Sequence, residues 1–199
     1  MKDQPLEQRF QHLETVIASD RFRLKQGLGN EVPFFICPFP VREAMAMADL
    51  QRRLESSLDR RGVRVLSLNF YDLCIELLQE REIWDQVLAM EPDLSKAELK
   101  ELFQGVLDPE TYLVPKISNY CQRGEYDVLF LAGVGEVFPY IRSHTVLNNL
   151  QSYAKEKPTV LFFPGAYTQS LERGASLNLF GRLHDDRYYR AFNIYDYTV

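Results

Sequence analysis

Polar side chains that could do chemistry follow the third apolar run of the sequence. The stretch Gly133–Glu136 comes directly after that run, and Arg142 and His144 stand a few residues further on. A carboxylate such as Glu136 can hold a metal ion or activate water, and Arg142 with His144 can bind phosphate or a partner's carboxylate. Structural roles stay open as alternatives. Glu136 would offset a helix dipole at the start of a helix, Arg142 would pair with an internal acid, and His144 would bond a backbone carbonyl.

A second group of polar and aromatic residues lies in the last third of the chain. Asp185 and Asp186 are adjacent acids that could bind Mg²⁺, although divalent sites usually take ligands from several elements of a fold. The alternative is that these acids are solvated or pair with an arginine such as Arg182. Exposed tyrosine and arginine together are typical of protein interfaces, while part of the aromatic group must belong to the core. The aromatic residues that we expect at an interface are Tyr167, Phe180, Tyr188 and Tyr189.

The sequence lacks the common phosphate-binding and nucleophilic motifs. A P-loop places glycines and a Gly-Lys-Ser/Thr after the first strand. This chain has Pro38 and Pro40 there, which remove amide donors. Ser143, His144 and Thr145 are too close in sequence to form a catalytic triad by themselves. The sequence therefore predicts no catalytic residue, no metal site and no cofactor.

Composition limits the classes of partner and the compartment. The 199 residues include 23 basic and 28 acidic side chains, a net charge of −5, which argues against a strongly basic nucleic-acid binder. Two arginine pairs, Arg52-Arg53 and Arg60-Arg61, leave a local DNA contact open beside the alternative of a solvated helix face. Three widely spaced cysteines predict free thiols in a reducing cytoplasm. The chain starts without an apolar signal core and has no run of about 18 apolar residues, so we expect a cytoplasmic protein without a membrane partner.

Apolar runs and helical periodicity predict elements that alternate along the chain. Unbroken apolar runs favour buried strands, and we place strands at 33–39, 63–68, 127–133, 159–163 and a fifth starting near Tyr188. Between 164 and 186 the chain is polar, with little periodicity. Because loops longer than about 12–15 residues are usually functional or disordered, and the aromatic and apolar residues here argue against disorder, we expect a partner contact.

Helices are predicted between these strands from spacing and from capping signals. The first is an amphipathic helix beginning at Leu6, and the second runs through 44–58 and ends before Gly62 at its C′ position. A helical region covers 71–90, and a Ser95–Glu98 capping box starts the next helix. Later helices are expected after Asp108-Pro109, with a kink or an early stop at Pro115, and after a cap at Ser143.

This alternation predicts an α/β fold. We expect a single three-layer domain over residues 1–199, with a mostly parallel sheet of about five strands and helices on both faces. Ligands of such sheets bind at the carboxyl ends of the strands. The order of elements is similar to a P-loop NTPase core without a Walker A loop, in which Glu136 would be a remnant of the Walker B acid.

Three stretches together resemble one protein family. They are VLFLAGVGEVFPYIRSHTVLNNLQ (128–151), PTVLFFPGAYTQS (158–170) and LNLFGRLHDDRYYRAFNI (177–194), and the early PFFICPFPVREAM also fits. They resemble the BrxB family of bacteriophage-exclusion (BREX) defence systems. The resemblance implies a small cytoplasmic component beside the ATPase BrxC, the alkaline-phosphatase-like PglZ and the adenine methyltransferase PglX. It implies a non-catalytic adaptor or scaffold that links PglZ and BrxC, with PglX as a further candidate and DNA reached through the complex.

The residues leave two other functions open. One is a nucleotide-sensing or hydrolytic enzyme with Glu136 and Arg142 at its site, helped by His144 and the Asp185-Asp186 pair. The other is a DNA-contacting subunit that uses the arginine pairs. For the adaptor, we predict a partner-binding surface in the last third of the chain. Its residues are Arg142, His144, Tyr167, Phe180, Arg182, Asp185, Asp186, Tyr188 and Tyr189.

Overall fold

The architecture comes from a computed structural model that describes residues 4–28, 31–151, 153–170, 174–181, 183–185 and 191–199. Helices and strands alternate through most of this length, as the sequence predicts. The helices are α1 (Leu6–Ala18), α2 (Asp20–Arg23), α3 (Ala44–Arg60), α4 (Phe70–Glu80), α5 (Trp84–Met90), α6 (Lys96–Val106), α7 (Val114–Arg123) and α8 (Ser143–Leu150). The strands are β1 (Phe34–Phe39), β2 (Val65–Asn69), β3 (Val128–Ala132), β4 (Thr159–Ser170), β5 (Gly174–Leu179), β6 (Leu183–Asp185) and β7 (Phe192–Asn193).

Five strands form a parallel sheet in the order β2-β3-β4-β1-β7. The longest register joins β1 to β4, from Phe34 opposite Thr159 to Phe39 opposite Pro164. All four neighbouring pairs in this order are parallel. The predicted α/β fold with a mostly parallel sheet of about five strands is therefore confirmed.

Helices cover both faces of the sheet because successive strand residues point to opposite sides. On one face, Phe35 and Cys37 of β1 pack with apolar residues of α1 and α3. On the other face, Phe34 and Ile36 pack with residues of α4, α7 and α8. A strand buried on both sides has to be apolar at every position, which explains the continuous run at β1, where all six residues are buried.

Several helix boundaries follow the predicted signals. Gly62 has φ +75° directly after the end of α3, and Ser95 with Glu98 forms a complete capping box at α6. The Asp108 side chain accepts a hydrogen bond from the Thr111 amide, as predicted for an N-cap. One π-helical turn, Pro109–Leu113, then leads into α7.

Three helix predictions are wrong in detail. Ser143 is not an N-cap, because α8 begins at Ser143 itself and follows Arg142. The helical region 71–90 is two helices, because Glu82 between α4 and α5 has φ 57°, which no α-helix accommodates. Pro115 neither stops nor shortens α7, because it lies in the first turn, where a missing amide costs no hydrogen bond.

The largest correction concerns the predicted loop at 164–186. β4 does not end at residue 163 but continues through Ser170, and its second half pairs antiparallel with β5. β5 in turn pairs antiparallel with β6. This extension stands beyond the carboxyl edge of the parallel sheet. Gly165 permits it, because a Cβ at that position would overlap the backbone oxygen of Asn178. The fifth parallel strand is β7, later than predicted.

Candidate functional site

A cleft of about 690 Å³ opens at the carboxyl edge of the parallel sheet. The last residues of β1, β2 and β3 border it, together with the turn after β3, one side of α3 and the base of the β4–β5 extension. This is the edge at which open parallel sheets bind ligands.

The floor of the cleft is apolar. Met47 of α3 is 2% exposed and Phe162 of β4 is 3% exposed, so both belong to the core and only their tips reach the cleft. The other large apolar lining residues are Phe39, Val41, Leu68, Val134, Pro164 and Phe180. An apolar floor with a few polar groups is the usual composition of a binding site.

A hydrogen-bonded network lies on one wall of the cleft. The Gln51 amide donates to Glu55 Oε1 at 2.9 Å and to Ser67 Oγ at 3.0 Å. Ser67 donates to the same Glu55 oxygen at 2.7 Å. Gln51 and Glu55 stand one turn apart on α3 and Ser67 is in β2, so the network joins a helix to the edge strand. Its effect is to hold the Glu55 carboxylate in one orientation.

The opposite wall is the turn after β3, where two glycines are required by close approach. Gly133 has φ +81°, and a Cβ there would overlap the side chain of Asn69. Asn69 is held in place because its Oδ1 accepts a 2.8 Å hydrogen bond from the Tyr71 amide at the start of α4. A Cβ on Gly135 would lie 2.9 Å from the ring of Phe180. These glycines therefore let the backbone pass close to the side chains that line the cleft. Close packing, and not a phosphate-binding loop, explains why glycine stands at both positions.

The rim of the cleft is acidic. Asp72 and Glu136 are exposed and line the cleft, and Glu55 adds a third carboxylate. One arginine, Arg52, lines this cleft, and its guanidinium is paired with Asp49. The cleft therefore presents negative charge to a ligand.

Of the predicted site residues, Glu136 and Phe180 line this cleft. Glu136 lies in a turn that ends before α8 begins, so the alternative of a helix-start acid is wrong. Phe180 is half-buried at the cleft, with its ring 6.1 Å from that of Phe138 in an edge-to-face arrangement. Glu136 and Phe180 approach the cleft from different elements.

The other predicted residues that the structure describes lie away from the cleft lining. Arg142 is exposed just before α8, whereas His144 in the first turn of α8 is 6% exposed. Tyr167 is 8% exposed, and its hydroxyl donates a 2.5 Å hydrogen bond to the Ala191 carbonyl. That bond ties the β4–β5 extension to the segment before β7. Tyr167 is therefore part of the core in this structure.

The remaining predicted residues are largely outside the described part of the chain. Arg182, Asp186, Tyr188 and Tyr189 lie outside the described residues. Asp185 is the last residue of β6, where its backbone is opposite Leu177.

Sequence reasoning missed most of the polar cleft residues. Gln51, Glu55, Ser67, Asn69 and Asp72 were not singled out. One signal could have found two of them: the Ser-x-Asn pattern at the carboxyl end of β2.

Three of the four arginines proposed for DNA contact are paired with acids. Arg53 bonds Glu7 at 3.0 Å and lies over the Phe10 ring, and Arg61 bonds Glu14 at 3.2 Å. Arg52 is paired with Asp49, as above. These contacts favour the solvated helix face over a phosphate-binding surface.

Burial lowers the reactivity of the cysteine thiols. Burial raises the pKa of the Cys37 thiol to about 12, even though Tyr195 OH lies 3.3 Å from its sulfur. Burial also raises the pKa of Cys74 to about 12. All three cysteines are free thiols. A thiol with such a pKa carries almost no nucleophilic thiolate at neutral pH.

The described residues offer neither a cluster of metal ligands nor a membrane-crossing helix. They contain no group of three His, Cys, Asp or Glu side chains placed to hold a metal ion. Within the same residues, no helix combines the length and the apolar character needed to cross a membrane.

Comparison with known proteins gives the family. A sequence model described as BREX protein BrxB matches residues 66–194. A protein named BREX protein BrxB from Bacillus cereus is 32% identical over 198 residues, covering 96% of this chain and 98% of its own length. One of the same name from Escherichia coli is 27% identical over 194 residues, covering 98% and 94%. No solved structure matches the chain. With near-complete coverage in both relatives, the chain belongs to the BrxB family and is a component of a BREX system, which supports a role in phage defence.

Proposed function

We propose that the chain is a non-catalytic adaptor of its BREX system that links PglZ to BrxC in the cytoplasm. PglX is a further candidate contact, and DNA is reached through the complex. The observation that carries the proposal is the make-up of the carboxyl edge of the sheet. An enzyme of this architecture places its reacting groups at that edge. Here the edge holds an apolar cleft with an acidic rim and an antiparallel extension.

The extension supports a partner surface in the last third of the chain. Phe180 and Gly181 follow β5 with φ angles of 57° and 69°, in the left-handed region that favours glycine. An aromatic residue at positive φ is strained, and such strain is concentrated at functional sites. Glycine or asparagine would be the usual choice there. The Phe180 side chain therefore makes a contribution that offsets the free-energy cost of its strained backbone.

The nucleotide alternative has less support from the lining of the cleft. Glu136 reaches the cleft, whereas Arg142 does not line it. The chain after β1 continues through Pro40 into the short turn Val41–Glu43, and proline offers no amide to a phosphate. Carboxylates on the rim would repel the phosphates of a nucleotide.

Co-purification tests the adaptor. A tagged chain expressed with the rest of its system should retain both PglZ and BrxC. Arg182→Glu should weaken one of these contacts at least about thirtyfold, the loss of about 2 kcal/mol typical of an interface arginine. Its melting temperature should stay unchanged. The matched control is Arg123→Glu, a charge reversal at the exposed end of α7, which should retain both partners.

Five results would count against the proposal or one of its parts. A chain that purifies without either partner refutes the adaptor. A folded Arg182→Glu variant that binds both partners normally places the contact elsewhere. A variant that unfolds shows that Arg182 is a structural residue and not an interface residue. A thermal shift of the purified chain on adding ATP and Mg²⁺ would favour the nucleotide-sensing alternative, and a shift with duplex DNA would favour the DNA-contacting one.

A further inference from the structure

We propose that the cleft at the carboxyl edge of the sheet binds a basic segment of a partner protein, with a bulky apolar side chain on the floor and a lysine or arginine at the rim. The inference rests on the proposed adaptor function, because it names the chemistry of one of the two contacts that an adaptor needs. It concerns the cleft, whereas Arg182 tests the partner surface predicted in the last third of the chain.

The apolar part of the site continues out of the cleft onto the surface of α3. Val41 at the lip is 44% exposed. Met45 is 86% exposed, and it precedes the lining residues Ala48 and Arg52 by three and seven positions, so it belongs to the same helical row. Exposed methionine is common at surfaces that bind protein segments. An apolar strip that leaves the cavity suits a polypeptide better than a small molecule enclosed by it.

The carboxylates of the cleft favour a positively charged ligand. Glu55, Asp72 and Glu136 line the cleft, against the single lining arginine, which is already paired with Asp49. The chain as a whole carries a net charge of −5. Complementary charge steers association and excludes partners of the same sign. An acidic peptide, a nucleic acid or a phosphorylated ligand is therefore disfavoured at this site.

Glu55 is prepared to accept a hydrogen bond from such a cation. Gln51 and Ser67 both donate to its Oε1. Its Oε2 accepts no hydrogen bond from any residue that the structure describes. The network therefore fixes the carboxylate and leaves one oxygen for a ligand, so that an incoming ammonium or guanidinium group meets an oriented acceptor.

Synthetic peptides test the inference. Overlapping peptides that tile the other proteins of the same BREX system are probed with the full-length chain, and the retained peptides are measured by fluorescence anisotropy. We expect the tightest peptides to carry a net positive charge beside a leucine, isoleucine, phenylalanine or methionine. Ala48→Trp should abolish their binding, because Ala48 is exposed and lines the cleft.

Charge reversal provides matched pairs of variants. Asp72→Lys and Glu136→Lys should each weaken the best peptide at least about tenfold, which corresponds to about 1.4 kcal/mol. Asp85→Lys is the control for Asp72, since both are exposed acids in the first turn of a helix. Ser56→Trp is the control for Ala48, since Ser56 is exposed on α3 outside the cleft. Both controls should bind as the unsubstituted chain does.

The outcomes separate this inference from the adaptor proposal. Retained peptides that are acidic or uncharged, or binding that survives Ala48→Trp, would overturn it. Capture of no peptide at all, while PglZ and BrxC still co-purify with the chain, would overturn the cleft inference and leave the adaptor standing. Peptide binding without co-purification of either protein would overturn the adaptor proposal and leave the cleft inference standing.

Discussion

Gly133→Ala probes how the turn after β3 is built against the start of α4. Gly133 has φ +81°, so any side chain there adopts a left-handed backbone, at a cost of about 1–2 kcal/mol. The added Cβ would also overlap Asn69 Oδ1 and lie 3.1 Å from the Phe70 amide nitrogen. Moving Asn69 away removes its cap on α4, which is worth about 1 kcal/mol. We therefore expect a total loss of about 2–3 kcal/mol.

Gly62→Ala is the matched control, because Gly62 has φ +75° and nothing within 4 Å of an added Cβ. It should cost about 1–2 kcal/mol, the backbone strain alone. Asn69→Ala should cost about 1 kcal/mol.

A double-mutant cycle tests the coupling between Gly133 and Asn69. Urea unfolding measures the stability of Gly133→Ala, of Asn69→Ala and of the double variant. The double variant should lose about 1 kcal/mol less free energy of unfolding than the two single losses add up to. The reason is that an alanine at position 133 no longer overlaps a side chain once Asn69 is removed. Additive losses, or a Gly133→Ala variant no less stable than Gly62→Ala, would refute the close-approach explanation of Gly133.

Three further outcomes are expected. Tyr167→Phe should lower the free energy of unfolding by about 1–2 kcal/mol in urea, because it leaves the Ala191 carbonyl without this buried donor, while partner binding by the folded protein stays unchanged. The hydrogen bond from Arg64 holds the pKa of the Asp127 carboxyl below its ordinary value. The advantage of the unsubstituted chain over Asp127→Asn, at most about 1 kcal/mol, should therefore be present at pH 7 and disappear as the pH falls below about 4; an advantage that persists at pH 2 would contradict the pairing. The three thiols should react slowly with a thiol reagent at pH 8 and rapidly in urea, since burial raises their pKa values; fast labelling of Cys37 in the native protein would place it outside the core.

Local signals were enough to predict the parallel sheet. The run at β1 is apolar at every position because the strand is covered on both faces, and the capping box at Ser95 fixes a helix start through bonds between neighbouring residues. Such features depend on residues close in sequence. The β4–β5 extension depends on the approach of Gly165 to Asn178, and Pro164 resembled the end of a strand when read alone. The alternation of Leu177 and Leu179 was the weak signal of a strand.

The cleft was harder to predict because its residues meet through the fold. Gln51 and Glu55 belong to α3, and Ser67 belongs to the edge strand that follows it. In sequence, the first two look like an ordinary polar side of a helix. The crossover from β1 to β2 is what places that side over the end of β2, and no local pattern records it. Glu136 was found because it directly follows an apolar strand.

The adaptor proposal is tested most directly by reconstituting the complex from purified PglZ, BrxC and this chain. Light scattering coupled to size-exclusion chromatography measures the mass of each species that elutes. An adaptor should give one peak whose mass includes all three proteins, and PglZ and BrxC should elute in separate peaks when the chain is left out. Co-elution of PglZ and BrxC to the same extent without the chain, or elution of the chain apart from both, would contradict it.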